Sequence, residues 1–201
     1  MRLLIIIIFL ISSLEASTNN CQYNFQFGKP KYDKTKFTID FYEKIPTTIK
    51  EICYNSHAVG FSTKKKTALW VEYTLTPNNI LNIINANRNF PRKNYKYTLD
   101  ASIDEGLQIK SSTYNGFWGE HNIDRGHLAP YRNTGSSEID KINVNKMTNI
   151  VPQNSGLNRK CWYFYEKEIF KNVRDNNESL TITTGVIYDN NSESLEHNDE
   201  I

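Results

Sequence analysis

The sequence predicts an α+β fold, a mixed sheet with flanking helices, and three stretches carry that expectation. "ALWVEYTL" (Ala68 to Leu75) is a β-branched and aromatic run that reads as a strand. "CWYFYEKEIFKNVRD" sets Trp162, Tyr165, Ile169 and Val173 at spacings of three and four, the period of a helix. "LTITTGVIY" then alternates threonine with apolar residues and returns to a strand. No repeat or low-complexity linker interrupts the chain, so a single domain is expected.

The elements follow in order. Met1-Arg2, the apolar run Leu3 to Ile11 and the small, polar "SSLEAS" read as a secretory signal peptide over residues 1–16. Cleavage near Ala16 implies a secreted or periplasmic protein with no membrane attachment after signal removal. Residues 17–52 form an N-terminal extension, 53–190 the domain and 191–201 an acidic tail. Within the domain "HAVGF" and "ALWVEYTL" are strands, with Trp70 in the core. Thr76 is an N-cap and Pro77 a first helical residue, so a short helix follows. "DRGHLAP" is a strand or strand end stopped by Pro130, "SSEIDKINVNKM" a helix, and "TNIVPQ" a short strand.

The 201 residues suffice for one domain with a real core. Net charge is only +2, but its distribution is uneven. Lys and Arg outnumber acids between Lys29 and Lys96, including the run Lys64-Lys65-Lys66, whereas Asp175 to Ile201 holds acids and no Lys or Arg. A basic body suits a polyanionic partner. Of the cysteines Cys21, Cys53 and Cys161, an exported chain allows one pair, and the sequence leaves the connectivity open. Asn177 and Asn190 fall in N-x-S sequons, which matter only in a eukaryotic secretory pathway.

Two stretches carry chemistry: "NIDRGHLAPYRN" (Asn122 to Asn133) and "NIVPQNSGLNRKCWYFYE" (Asn149 to Glu166). Hydrolysing a phosphodiester needs a base for water, positive charge for the developing oxyanions, and help for the departing oxygen. His127 suits the first task, since imidazole titrates near neutral pH. Magnesium suits the last, because it takes few protein oxygens and keeps several waters. Asn158 backed by Glu166 makes such a sparse site. Eight residues of helix separate the two by roughly 12 Å, so Glu166 is expected in the outer sphere. A zinc site of His121, His127 and Cys161 is the rival metal reading.

"DRGHLAP" followed by N-I-x-P-Q-x-x-x-L-N-x-x-x-W-x-x-x-E resembles the DNA/RNA non-specific endonucleases, which share a ββα-metal finger. The resemblance runs from about Cys53 to Tyr188 and implies that fold for the active site. By position, His127 resembles the general base, Asn158 the metal-ligating asparagine and Glu166 the acid that orients water on the metal. Asn149 and Gln153 match residues that shape the site, and Asp124 and Arg125 complete the signature. Arg92 in "PRKNYKYTLD" resembles an arginine that clamps phosphate, with Arg88 as competitor. The chain departs from the family after "TGVIYD", where a closing segment containing Val-Pro is replaced by the acidic tail.

The expected function is a secreted, magnesium-dependent endonuclease, with manganese as a substitute ion, acting on DNA and RNA without strong sequence preference. The resemblance implies 5′-phosphate products. The alternatives are a catalytically silent nucleic-acid-binding or uptake protein and a phosphodiesterase for small nucleotides. The sequence leaves the oligomeric state open.

Overall fold

The computed structural model describes residues 49–115, 117 and 121–186. The expected signal peptide and the acidic tail, together with Cys21 and Asn190, lie outside the described residues. The α+β expectation holds, with every ladder antiparallel rather than mixed. β1 (Ile49–Cys53), β2 (Ala58–Ser62) and β3 (Thr67–Leu75) form a meander, and β6 (Leu180–Gly185) pairs with the free side of β3. β3 is buried along nearly its whole length, which its apolar and β-branched composition permits on both faces. Trp70 lies in the core as expected, its indole flat over Gly60. A Cβ there would sit 2.1 Å from Trp70 Cε2, so only glycine fits. The Lys64–Lys66 run forms the tip of the β2–β3 hairpin, with Lys66 at φ 54°.

α1 (Pro77–Asn89) starts as the sequence anticipates. Thr76 accepts from the Asn79 N–H at 3.2 Å, and Asn79 Oδ1 accepts from the Thr76 N–H at 2.9 Å, a reciprocal cap with Pro77 at the first position. The helix buries Ile80, Ile83 and Ala86.

A second, two-stranded sheet carries both motifs. β4 (Ile123–His127) pairs with β5 (Ile150–Asn154) in the register Asp124 to Gln153 and His127 to Ile150. α2 (Glu138–Val144) lies between them in the chain, capped by Ser137 and Asp140. After β5 a π-helical turn (Leu157–Trp162) leads into α3 (Tyr163–Asn176), which ends at Asn177 in the left-handed conformation. The motifs therefore fold as strand, strand, helix.

The packed face of α3 differs from the expected one. Tyr165 is 62 % exposed rather than buried. The inward positions are Trp162, Glu166, Ile169, Phe170 and Val173. A pure α-helix advances 100° per residue. Within α3 that puts Glu166 about 20° from the buried Val173 and Tyr165 about 80° from it, so Tyr165 falls off the packed face.

Two buried polar side chains hold these pieces. Asn149 is fully buried. Its Oδ1 accepts from the Ala129 N–H at 2.8 Å, and its Nδ2 donates to the carbonyls of Ala129 (3.0 Å) and Val144 (2.8 Å). Lys141, also fully buried, donates three bonds of 2.8–2.9 Å to Asn87 Oδ1 and the carbonyls of Tyr131 and Thr134. Burial pulls its pKa down to about 8. Between them they fix the loop that leaves β4.

Asn149→Ala leaves one buried N–H and two carbonyls without this partner. The expected loss is about 3 kcal/mol in urea unfolding. A change under about 1 kcal/mol would mean that the loop does not depend on this clamp.

His57 and His127 are both held neutral, burial being the main cause, with pKa values pulled down to about 3 and about 4. A histidine whose folded pKa is depressed contributes stability that is intact above its unfolded pKa of about 6.5 and is lost as pH falls below it. Glu166 works in the opposite sense, since burial raises its carboxyl to about 7. Between about pH 6 and pH 4.5, His57→Gln should therefore remove one proton from the pH dependence of unfolding. That is a slope change of about 1.4 kcal/mol per pH unit. Parallel slopes for variant and wild type would refute a neutral, buried His57.

Candidate active site

Side chains alternate along β4, so Arg125 and His127 share one face while Asp124 and Gly126 take the other. Beside the first face stands Tyr97. Its ring centre lies 5.6 Å from that of His127, 4.3 Å from the Arg92 guanidinium and 5.5 Å from that of Arg125. Tyr131 adds a second ring, 6.5 Å from His127 and 5.7 Å from the Arg92 guanidinium. Arg92 also donates to the Tyr95 carbonyl at 2.6 Å. Arg125 is turned inward, donating from Nε (3.1 Å) and Nη2 (2.5 Å) to the Ser111 carbonyl, and also to Asn115 Oδ1. Arg125 is thereby a strut, whereas Arg92 brings charge to the histidine.

His127 Nε2 lies 3.0 Å from Asn145 Oδ1. The Asn145 amide donates from Nδ2 to the Lys141 carbonyl at 3.0 Å, which turns its oxygen toward the ring. That oxygen only accepts, so Nε2 carries the proton and Nδ1 keeps its lone pair. Burial and the nearby Arg92 hold the ring neutral, against the Asn145 contact, which favours the charged form. Asn145 is a site residue that the motif reading missed. It stands at the C-cap of α2, four residues before Asn149, where asparagine is unremarkable on propensity grounds.

On the other face Asp124 grips the π turn. It accepts from Asn158 Nδ2 at 2.9 Å and from Arg159 Nε (2.8 Å) and Nη2 (2.6 Å). Burial pushes its carboxyl up, but Arg159, Asn158 and Ser155 outweigh that and hold it below the usual range. With Nδ2 committed to Asp124, Asn158 Oδ1 has no partner among the described residues and is half-buried. A neutral carbonyl oxygen so placed fits a hard cation such as magnesium. Gly126 is required on this face, because a Cβ would meet Gln153 Oε1 at 2.3 Å. Gln153 lies flat against it, with Oε1 buried and unpaired among the described residues.

Asn158, Trp162 and Glu166 are half-buried at intervals of four, with every residue between them exposed. Eight α-helical residues would overshoot two turns by about 80°. The π turn takes up that excess and brings Asn158 and Glu166 onto one face. Burial raises the Glu166 carboxyl to about 7, against the nearby Arg132 and the Trp162 indole. The Glu166 carbonyl accepts from Asn133 Nδ2 at 2.8 Å.

Asp124 and Asn158 are thus in direct contact, and His127 is grouped with Arg92 through Tyr97 and Tyr131. Asn149 anchors the backbone from within and Gln153 packs on Gly126. Arg88 lies elsewhere, beside the cavity at Glu166. The rival zinc site does not assemble. Among the described residues no three His, Cys, Asp or Glu side chains come together to hold a metal ion. Cys161 is an exposed free thiol, while Cys53 is disulfide-bonded.

The comparisons agree with this geometry. The family model for DNA/RNA non-specific endonucleases matches residues 38–201. A nuclease of Serratia marcescens is 25% identical over 140 residues, 69% of this chain and 48% of its own length. A nuclease of Nostoc sp. is 30% identical over 108 residues, 54% of this chain and 35% of its own. The mitochondrial nuclease EXOG of Danio rerio is 29% identical over 110 residues, 54% and 29% respectively. The chain thus spans about half or less of the relatives it matches. A chain in the crystal structure of the EndoG/EndoGI complex shares the fold, with TM-score 0.64 and 18% identity over 84% of this chain and 59% of that one. Strand, strand, helix, the two motifs on them and the matched family model place this chain in the DNA/RNA non-specific endonuclease family.

Proposed function

We propose that the protein is a secreted, magnesium-dependent endonuclease that hydrolyses DNA and RNA with little sequence preference. The observation that carries this reading is the His127–Asn145 pair, which leaves Nδ1 of a neutral imidazole as proton acceptor next to Arg92. His127 Nδ1 takes a proton from water as the water oxygen attacks phosphorus. The bond from phosphorus to the 3′ oxygen breaks, and that oxygen takes a proton from solvent water, leaving a 5′-phosphate and a 3′-hydroxyl. Arg92 holds the phosphate oxygens, whose negative charge grows in the transition state. Asn158, through its free Oδ1, and Glu166, from the outer sphere, are the residues that would hold magnesium. When bound, that ion supplies positive charge to the departing oxygen. Secretion rests on the N-terminal sequence alone.

Nothing in this arrangement contacts the 2′ position of the sugar, and contacts confined to phosphate carry no base information. The wild type should therefore cut single- and double-stranded DNA and RNA, all of it stopped by chelator. RNA cleaved through a 2′,3′-cyclic phosphate, or cleaved in chelator while DNA survives, would overturn the mechanism.

His127→Ala should lower kcat on plasmid by about 10²–10⁴-fold with binding nearly intact. Wild-type turnover in this variant would remove His127 as the base. Asn158→Ala should weaken magnesium dependence, with partial rescue by excess ion. A magnesium titration identical to wild type would leave Asn158 as a structural partner of Asp124 only.

A further inference from the structure

Beside Glu166 a cavity of about 330 Å³ opens between α1 and α3. Its apolar lining includes Ile84 of α1 and Phe170 of α3, and Tyr163 supplies an exposed ring. Three cations from three different elements also line it: Arg88 of α1, Arg132 of the loop after β4, and Lys167 of α3. Glu166 is the carboxylate in the lining.

The walls are held by bonds within the protein. Asn87 donates to the Arg132 carbonyl at 2.8 Å and accepts from the buried Lys141 Nζ at 2.9 Å. Arg132 donates from Nη1 to the Tyr163 hydroxyl at 3.2 Å, its guanidinium 5.4 Å from that ring's centre. Arg88 and Lys167 form no ion pair with any described residue. An apolar lining, one aromatic wall and an excess of unpaired positive charge match the two halves of a nucleotide, a flat base and a phosphate. The volume lies at the small end of ligand cavities, room for one nucleotide unit and too little for a duplex.

We propose that this cavity is a subsite for one unpaired nucleotide of the substrate strand, outside the bond that is cut. Its base lies against Tyr163, and its phosphate is held by Arg88, Arg132 and Lys167. This rests on the nuclease reading above and deepens it. A nucleotide can enter only when unstacked from its partner strand, so the subsite favours single-stranded substrates long enough to reach from His127 to the cavity.

The test uses the full chain with magnesium and two single-stranded DNA substrates, a dinucleotide with one scissile bond and an octanucleotide. The double variant Arg88→Gln/Lys167→Gln changes exposed side chains that form no hydrogen bond or ion pair among the described residues. It should raise KM for the octanucleotide about tenfold and leave kcat and the dinucleotide unaffected. Tyr163→Leu should raise the octanucleotide KM by a comparable factor, and Tyr163→Phe should restore most of it. Octanucleotide kinetics unchanged in these variants, or an equal loss on both substrates, would overturn the subsite while the wild type still cuts. If the wild type cuts neither substrate, the nuclease reading falls and anisotropy of labelled octanucleotide in chelator decides the cavity. A weaker complex for the double variant would support the cavity as a nucleotide site, and an unchanged one would overturn it.

Discussion

The register of the β4–β5 hairpin is the constraint on which the site depends. Side-chain direction alternates strictly along a strand, so a slip of one residue would exchange the faces of Arg125 and His127 with those of Asp124 and Gly126. His127 would then lose Asn145 and Tyr97, and Asp124 would lose Asn158 and Arg159. Three features prevent the slip, and none is itself chemical. Gly126 lets Gln153 lie flat across the strand. Ile150 and Val151 bury their side chains in two different clusters, one on each face of β5, which ties the strand down from both sides. Asn149 grips both backbone groups of Ala129, locking the chain just beyond His127.

Electrostatics follows from this placement. His127 is packed among aromatic rings with the Arg92 guanidinium nearby, and a charged imidazolium there would face both lost hydration and like charge. The resting ring is therefore neutral, which a proton acceptor requires. Part of the depression comes from Arg92, the group best placed to meet a phosphate. An anion that neutralised Arg92 would relieve this repulsion and make the imidazole more basic.

Much of this was legible in the sequence, but unevenly. Trp70, the Thr76–Pro77 helix start and the strand–strand–helix order were readable because each rests on local propensity or period. The two motifs marked His127 and Asn158 through side-chain chemistry and the family resemblance. The phase of α3 was not readable, since the apolar spacing through Tyr165 is that of an ideal α-helix. Spacings of three and four leave the centre of the packed face open, and the packing of Ile169, Phe170 and Val173 puts Glu166 inward and Tyr165 outward. Asn145 escaped for a different reason. Its role depends on where the α2 C-terminus docks against His127, a tertiary fact with no local sign. Arg125 and Asp124 sit in the signature yet act on the protein itself, one bound to Ser111 and Asn115, the other to Asn158 and Arg159.

The π turn also sets which helix side chains lie on one face. A hairpin presents His127 at a fixed height, and a helix leaving that hairpin presents side chains every 100°. Asn158 and Glu166, eight residues apart, would then point about 80° away from each other. Widening the first turn to i→i+5 brings them into line with Trp162 between them, and Asp124 holds that turn from β4 through Asn158 and Arg159. The ion pair between β4 and the π turn thus acts on the relative placement of Asn158 and Glu166. That is the physical sense in which "DRGH" and the asparagine-to-glutamate step form one device: the aspartate sets the turn, and the turn sets the glutamate.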